Sequence, residues 1–167
     1  MRIQFFTCAL FFPLVALGLD FSTATTSLIV NGYSRHFHVD DKYAHTTLNE
    51  KNYGLGLEFD YEQSPNDKLR YVNNLGWYKD SLNSTAYYAG GAAFYDVVGN
   101  KDLRFSVGGE ITGFYSENYN KGKPFIALVP VANLGNSNYS VNFVLIPRFS
   151  QFMESGVAFF QFKMRVK

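Results

Sequence analysis

Residues 53–62 read YGLGLEFDYE, and their chemistry changes with every step along the chain. Tyrosine, leucine and phenylalanine occupy alternate positions, and glycine or an acidic residue occupies each position between them. Successive side chains of a β-strand point to opposite faces of the sheet, so a period of two is typical of a strand. The segment is therefore predicted to be a strand with one apolar and one polar face.

The rest of the chain repeats this pattern. The connections QSPND, VGNKD and GNSN are short and turn-like, whereas the stretches 40–52, 116–122 and 148–155 are longer. An even number of strands with short turns at one end and longer loops at the other is typical of a bacterial outer-membrane barrel. We therefore predict an all-β fold, a single eight-stranded antiparallel transmembrane β-barrel domain over residues 25–167. The predicted strands lie near 28–39, 53–62, 68–79, 84–97, 102–115, 123–134, 138–147 and 156–166.

The chemistry of the two strand faces favours a membrane barrel over a soluble one. The apolar face is rich in Tyr, Phe and Leu, as a lipid-facing band with aromatic girdles requires. The polar face carries charges that could pair inside a narrow eight-stranded bore. A soluble secreted barrel that binds an apolar ligand is a less favoured alternative. The charged residues of the polar face are Glu58, Asp60, Arg70, Arg104, Glu110, Lys163 and Arg165.

The N-terminal segment predicts export. Residues 1–18 combine Arg2, a short apolar run and small residues, which is the layout of a secretory signal peptide, and cleavage as late as residue 24 is an alternative. Cys8 lies within this segment, so the mature chain would have neither a disulfide nor a thiol. With the barrel pattern, this predicts the outer membrane of a Gram-negative bacterium. The net charge of +1 and the scattered basic residues argue against a nucleic-acid partner.

Small residues and prolines mark the half of the barrel nearer the longer loops. Pro130 lies within strand six and Pro147 near the end of strand seven, and proline cannot donate to the strand ladder, so the two weaken the pairing between these strands. In a membrane that could open a lateral gap for a lipid tail, or each proline could simply end or bend its strand. Small inward residues in this half of the barrel would leave a cavity that suits an acyl chain. They are equally compatible with bends in the strands of a tightly coiled barrel. These inward residues are Gly54, Gly56, Gly76, Gly90 and Ala92.

Residues 79–84 bring an Asp and a Ser to the end of strand three, where strand one delivers Ser34, His36 and His38. Acyl transfer needs a base beside an attacking hydroxyl. Either Ser81 is a nucleophile activated by a histidine, or the histidine activates an acceptor hydroxyl while Asp80 and Ser81 orient it. Asp-Ser before Asn-Ser is also ordinary turn chemistry.

A metal site at the histidines of strand one is much less favoured. His36 and His38 with Asp40 and Asp41 carry ligand groups, but no further ligand set with useful spacing appears. The prediction includes no metal and no cofactor.

Several segments resemble the outer-membrane lipid A palmitoyltransferases (PagP), and the resemblance covers roughly residues 28–166. That family's last three strands are similar to the segments PFIALVPVANLG, YSVNFVLIPRF and GVAFFQFKMRV of this sequence. The start of its second strand is similar to LNEKNYGLGLEF, and its catalytic Asp-Ser loop is similar to YKDSLN. The resemblance implies an enzyme that moves a palmitoyl chain from a phospholipid donor onto lipid A in the outer leaflet. We expect it to be a monomer.

The resemblance also assigns roles to individual residues. Asp80 and Ser81 fall on two of the family's three functional positions, and Pro130 and Pro147 on the prolines that flank its lateral opening. Ala92 falls on the floor of the acyl ruler, normally a glycine, and its methyl group would favour a slightly shorter chain. The implied acyl pocket consists of Gly54, Gly76, Gly90 and Ala92.

The sequence departs from the family pattern at three places. The catalytic histidine falls on Ser34, so a shifted register would have to supply the base from His36. The prolines of the family's second gap correspond to Ile29 and Asn52. The amphipathic helix before the barrel is absent, and Val166-Lys167 replaces the C-terminal aromatic residue. A non-enzymatic relative that binds lipid or serves a structural role at the surface is therefore the alternative.

Overall fold

A computed structural model describes residues 24–37, 39, 47–61, 68–100, 102–148 and 155–167. Eight antiparallel strands close into a barrel in chain order, with β1 paired to both β2 and β8, which confirms the predicted fold. The predicted signal peptide lies outside the described residues. The strands are β1 (Thr25–Phe37), β2 (Lys51–Tyr61), β3 (Leu69–Lys79), β4 (Thr85–Gly99), β5 (Arg104–Tyr115), β6 (Phe125–Gly135), β7 (Tyr139–Ile146) and β8 (Gly156–Arg165).

The two ends of the barrel differ. Residues 38–50, 80–84, 116–124 and 147–155 connect the strands at one end, which we call the loop rim. The other end carries the connections 62–68, 100–103 and 136–138 together with the start of β1 and the end of β8. In outer-membrane barrels the longer loops face the cell exterior. The loop after β5 includes a short 3₁₀ helix, Asn120–Gly122. No helix in the described part of the chain is long and apolar enough to span a membrane.

The barrel exterior is apolar. On β6, Ile126 and Leu128 are 70% and 67% exposed, whereas Ala127 and Val129, which alternate with them, are buried. Large apolar side chains occupy outward positions on the other strands as well, which suits lipid and would be costly in water. This confirms the predicted lipid-facing band. Its members include Val30, Leu55, Leu57, Leu75, Trp77, Tyr87, Val107, Ile111, Phe143, Leu145 and Phe162.

Ion pairs fill the bore in the half away from the loop rim. Lys163 Nζ lies 2.5 Å from Glu58 Oε1. Arg70 bonds to Asp60 and, at 3.2 Å, to Asp96. Arg165 was expected in this group but lies exposed at the end of β8, where it donates to Thr25 Oγ1. We call the group the polar plug: Glu58, Asp60, Arg70, Asp96, Arg104 and Lys163.

The half of the bore nearer the loop rim holds an aromatic core, and here the structure differs from the expected open acyl cavity. A Cβ added at Gly76 would lie 2.6 Å from the Tyr88 hydroxyl, and one at Gly90 would lie 2.9 Å from a Glu110 carboxylate oxygen. At Gly54 it would meet a backbone carbonyl oxygen at 2.0 Å. Large neighbours therefore fill the space that these small residues leave. Near the loop rim the core contains Tyr78, Tyr88, Phe114, Phe125 and Phe159, and it continues to Ala92 and to Phe94, which lies against Arg70.

The ladder between β6 and β7 is short. It runs from Gly135↔Ser140 to Val131↔Val144 and stops beside Pro130, whereas the ladder between β5 and β6 continues to Phe114↔Phe125. Proline has no backbone N–H to donate, which is the physical reason for the stop. Residues 125–130 of β6 are thus not paired with Leu145 and Ile146 of β7 or with Pro147 after it, and we call this place the lateral gap.

Candidate active site

A bulge in β1 determines which side chains reach the bore at the loop rim. The register of β1 against both neighbours shifts between Asn31 and Tyr33. An inserted residue reverses the alternation of faces. Asn31 is buried before the bulge, and Ser34 is buried after it. His36 therefore shares the inward face of Ser34, as the sequence predicts.

Asp80 organises the turn after β3. Its Oδ1 accepts hydrogen bonds from the backbone N–H groups of Leu82 and Ser84, both at 2.9 Å. Its Oδ2 accepts one from Ser116 Oγ at 2.5 Å and another from Asn118 Nδ2 at 3.1 Å. The residue is 1% exposed. Asp80 thus ties the β3–β4 turn to the β5–β6 loop, and none of these bonds involves the predicted partner histidine.

Ser81 and His36 form a direct pair. Nε2 of His36 lies 2.6 Å from Ser81 Oγ. The His36 side chain is 4% exposed, and Ser81 is partly exposed. A serine hydroxyl that donates to a neutral imidazole is the arrangement by which enzymes activate a nucleophile. The structure therefore brings these two predicted residues together.

Glu50, which the sequence pattern did not reveal, lies on the other side of the histidine. Its Oε1 is 3.8 Å from His36 Nδ1. Its Oε2 accepts a hydrogen bond from the Tyr33 hydroxyl at 3.0 Å and pairs with Arg35 at 3.2 Å. No motif links Glu50 to His36, because the two residues meet only when β1 pairs with β2.

Glu50 carries a negative charge at neutral pH. Burial by itself raises the pKa of this carboxyl group. Hydrogen bonds from the Tyr33 hydroxyl and the His36 backbone, followed by the charge of Arg35, outweigh burial and hold the pKa below its ordinary value. The histidine therefore faces a carboxylate on one side and a hydroxyl on the other.

Backbone contacts between two loops fix Ser81 in place. The backbone N–H of Asn49 donates to the carbonyl oxygen of Ser81 at 2.8 Å, and Asn49 Nδ2 donates to the backbone carbonyl oxygen of Asp80 at 3.0 Å. Asn52 Nδ2 donates to Lys79 O at 2.8 Å. The segment that carries Glu50 and the turn that carries Ser81 are thus held against each other.

A small pocket lies next to the Ser81–His36 pair. It has room for about one water molecule. Ser34 Oγ and Asn52 Oδ1 are buried and have no hydrogen-bond partner within the described residues, so the pocket has a polar side. Ile146, at the lateral gap, contributes to its apolar side. The lining residues include Ser34, Asn52, Tyr78, Ser81, Ile146 and Phe159.

The possible metal ligands fall largely outside the described residues. His38, Asp40 and Asp41 belong to the part of the β1–β2 loop that the structure does not describe. Within the described ranges no group of three His, Cys, Asp or Glu side chains is placed to hold a metal ion.

Comparisons with known proteins concern the fold. No protein-family model and no curated protein matches the sequence. The chain is similar to the solved structure of Neisserial surface protein A, with a TM-score of 0.50 and 12% identity over 86% of this chain and 96% of that one. The solved structure of the Yersinia pestis outer membrane protein Ail has a TM-score of 0.43 and 14% identity, over 85% of this chain and 99% of that one. The likeness to the neisserial protein shows the barrel fold. A closed barrel with an apolar exterior is the form of protein that spans the outer membrane of a Gram-negative bacterium, which is the predicted location.

Proposed function

We propose that this outer-membrane barrel is an acyltransferase that works at its loop rim, of the type that its resemblance to the lipid A palmitoyltransferases implies. The observation that carries the proposal is the 2.6 Å contact between His36 Nε2 and Ser81 Oγ. The donor is a phospholipid, and the acceptor is a hydroxyl group of lipid A. Both belong to the membrane in which the barrel lies.

The chemistry proceeds in two steps. Ser81 Oγ attacks the ester carbonyl of the phospholipid while His36 Nε2 takes the hydroxyl proton. His36 returns this proton to the leaving oxygen, which releases a lysophospholipid and leaves an acyl ester on Ser81. The lipid A hydroxyl then attacks this ester, its proton passes to His36, and the proton returns to Ser81 Oγ.

The lateral gap gives the lipid a route to this pair. Donor and acceptor lipids lie outside the barrel, and the unpaired segments beside Pro130 and Pro147 open that wall in the half nearer the loop rim. Ile146 belongs both to the edge of the gap and to the pocket beside Ser81. We therefore place the acyl chain of the donor along the gap.

The filled bore limits where the acyl chain can lie. An acyl pocket at Gly54, Gly76, Gly90 and Ala92 would require the neighbouring side chains to move, because the Tyr88 hydroxyl lies against Gly76. The proposal therefore does not include selection of chain length by Ala92.

A second candidate is a non-enzymatic barrel that binds lipid or has a structural role at the cell surface. The aromatic core favours it, since Tyr78, Phe114 and Phe159 pack against one another in the bore and occupy space that an internal palmitoyl chain would need. This candidate predicts that changes at His36 and Ser81 leave the membrane lipids unaltered.

Mass spectrometry of lipid A separates the two candidates. Gram-negative cells would express the wild type, Ser81→Ala, His36→Ala and the control Ser137→Ala, which changes a serine at the opposite end of the barrel. We expect the mass of one added acyl chain with the wild type and the control, and its loss in the other two variants. Heat-modifiable migration in electrophoresis verifies that each barrel is folded. Unchanged lipid A beside a folded wild-type barrel would refute acyl transfer to lipid A.

A further inference from the structure

His36 uses one of its two ring nitrogens to hold Ser81. In the proposed mechanism Nε2, 2.6 Å from Ser81 Oγ, accepts the hydrogen of the serine hydroxyl, which places the hydrogen of the neutral ring on Nδ1. Nδ1 is buried and has no hydrogen-bond partner within the described residues. A buried N–H group without an acceptor costs free energy, so a hydrogen-bond acceptor is expected near Nδ1.

Glu50 is placed to be that partner. Its Oε1 lies 3.8 Å from Nδ1, which is longer than a hydrogen bond by roughly 0.8 Å. Hydrogen bonds of catalytic groups are often long in the absence of substrate and shorten in the complex. Tyr33 and Arg35 hold the other carboxylate oxygen, and Arg35 also lies 3.5 Å from Oε1, which is the carboxylate oxygen nearer the ring.

We infer that Glu50 is a positioning residue that orients His36 for proton transfer from Ser81. The inference rests on the proposed function, in which Ser81 is the group that becomes acylated. When the Ser81 proton moves to Nε2, the ring becomes a cation, and a carboxylate on Nδ1–H both fixes the tautomer and stabilises the positive charge. Arg35, whose charge also acts on the ring, is paired with the same carboxylate, which reduces its repulsion of that cation.

The first test measures the reactivity of Ser81 with an alkyl fluorophosphonate. This probe forms a phosphorus–oxygen bond with an activated serine and releases fluoride, and the intact protein mass records the adduct. The full mature chain, folded in phospholipid vesicles, would be compared as wild type, Ser81→Ala, Glu50→Gln and Glu117→Gln. Glu117 is the control because it is an exposed acidic residue of the same rim.

We expect the wild type and Glu117→Gln to react at the same rate, and Ser81→Ala not to react. Glu50→Gln should slow the reaction by at least about tenfold, since loss of the triad carboxylate in serine hydrolases slows catalysis by up to about 10⁴-fold. A wild-type rate in Glu50→Gln overturns the inference.

The second test reads the histidine directly. In ¹⁵N NMR spectra, with the signal of His36 assigned by comparison with His36→Gln, we expect the Nδ1–H tautomer in the wild type and a mixture of tautomers in Glu50→Gln. An unchanged tautomer overturns the inference, even where the reaction with the probe is slower. A wild-type protein that does not react with the probe but shows the tautomer change would refute the role of Ser81 as nucleophile while supporting that of Glu50.

Discussion

The carboxylate of Asp80 accepts hydrogen bonds from two loops, whereas the hydroxyl of Ser81, one residue later, is bonded to an imidazole. The difference follows from geometry: the Asp80 side chain is buried under the turn and caps it, and Ser81 is directed toward the end of β1. A buried carboxylate with donors on both oxygens is a fixed acceptor and a poor proton carrier. Asp80 therefore supports the site by holding the turn that presents Ser81.

Gly76 shows how tightly the bore is packed. An alanine Cβ at this position would lie 2.6 Å from the Tyr88 hydroxyl and 2.7 Å from the Leu55 carbonyl oxygen, and the second atom is backbone. We expect Gly76→Ala to lower the free energy of unfolding by about 1–3 kcal/mol. Urea titration in detergent micelles measures this, with the fluorescence of Trp77, the only tryptophan of the sequence, as the probe.

Gly109→Ala is the matched control. A Cβ at Gly109 would meet no atom within 4 Å, so the same substitution should change the free energy of unfolding by less than about 0.5 kcal/mol. Equal effects of the two substitutions would show that the space beside Gly76 is not filled as the structure has it.

Two of the site residues could be predicted from the sequence and others could not. His36 and Ser81 lie near the ends of strongly periodic strands, so the barrel pattern alone places them at the same end. Glu50 lies in a loop, and its contact with His36 depends on the register of β1 against β2. Periodicity does not fix register in a chain with a bulge, which is why this carboxylate was missed.

The strands themselves were predictable because lipid outside and a filled bore inside enforce a period of two. All eight predicted strands are present, with bounds that differ by a few residues. The bulge near Gly32 was not predictable from the sequence. One extra residue shifts the alternation of apolar and polar positions by one, and in so short a segment this shift is hard to detect. The content of the bore was also missed: small inward residues indicate space only if no neighbour fills it, and Tyr88 fills it here.

The lateral gap between β6 and β7 can be tested with paired cysteines. Continuing the register from Val131↔Val144 places Val129 opposite Ile146, where the ladder has ended. We expect Val129→Cys/Ile146→Cys to form a disulfide at least about tenfold more slowly than Val131→Cys/Val144→Cys, because disulfides need Cα atoms within about 7 Å. Mass spectrometry after timed oxidation and alkylation of the folded barrel measures both rates.

The comparison is matched because the two pairs lie two residues apart on each strand. They therefore belong to the same class of antiparallel pair and would have the same Cα separation in a continuous ladder. Equal rates of oxidation would mean that the strands stay paired past Pro130 and that the wall is closed there.

The whole barrel depends on charges that its interior isolates from water. Glu58 and Lys163 are both buried, 1% and 5% exposed, and the carboxylate of Glu58 also accepts a hydrogen bond from Asn142. A buried charge that loses its partner is strongly destabilising, whereas removing both partners is often neutral. The pair also joins β2 to β8 through the bore rather than along the wall, so it contributes to closure of the barrel.

We therefore expect Lys163→Met to lower the free energy of unfolding by about 3–5 kcal/mol, because it leaves the Glu58 carboxylate buried alone. The double variant Glu58→Gln/Lys163→Met should recover most of this loss, since neither member of the ion pair is then left buried without its partner. Arg165→Met, two residues along β8 and exposed, should be nearly neutral. Urea unfolding in phospholipid vesicles, followed by Trp77 fluorescence, measures all three. A double variant as unstable as Lys163→Met would mean that side-chain packing, and not charge, makes the plug essential to the barrel.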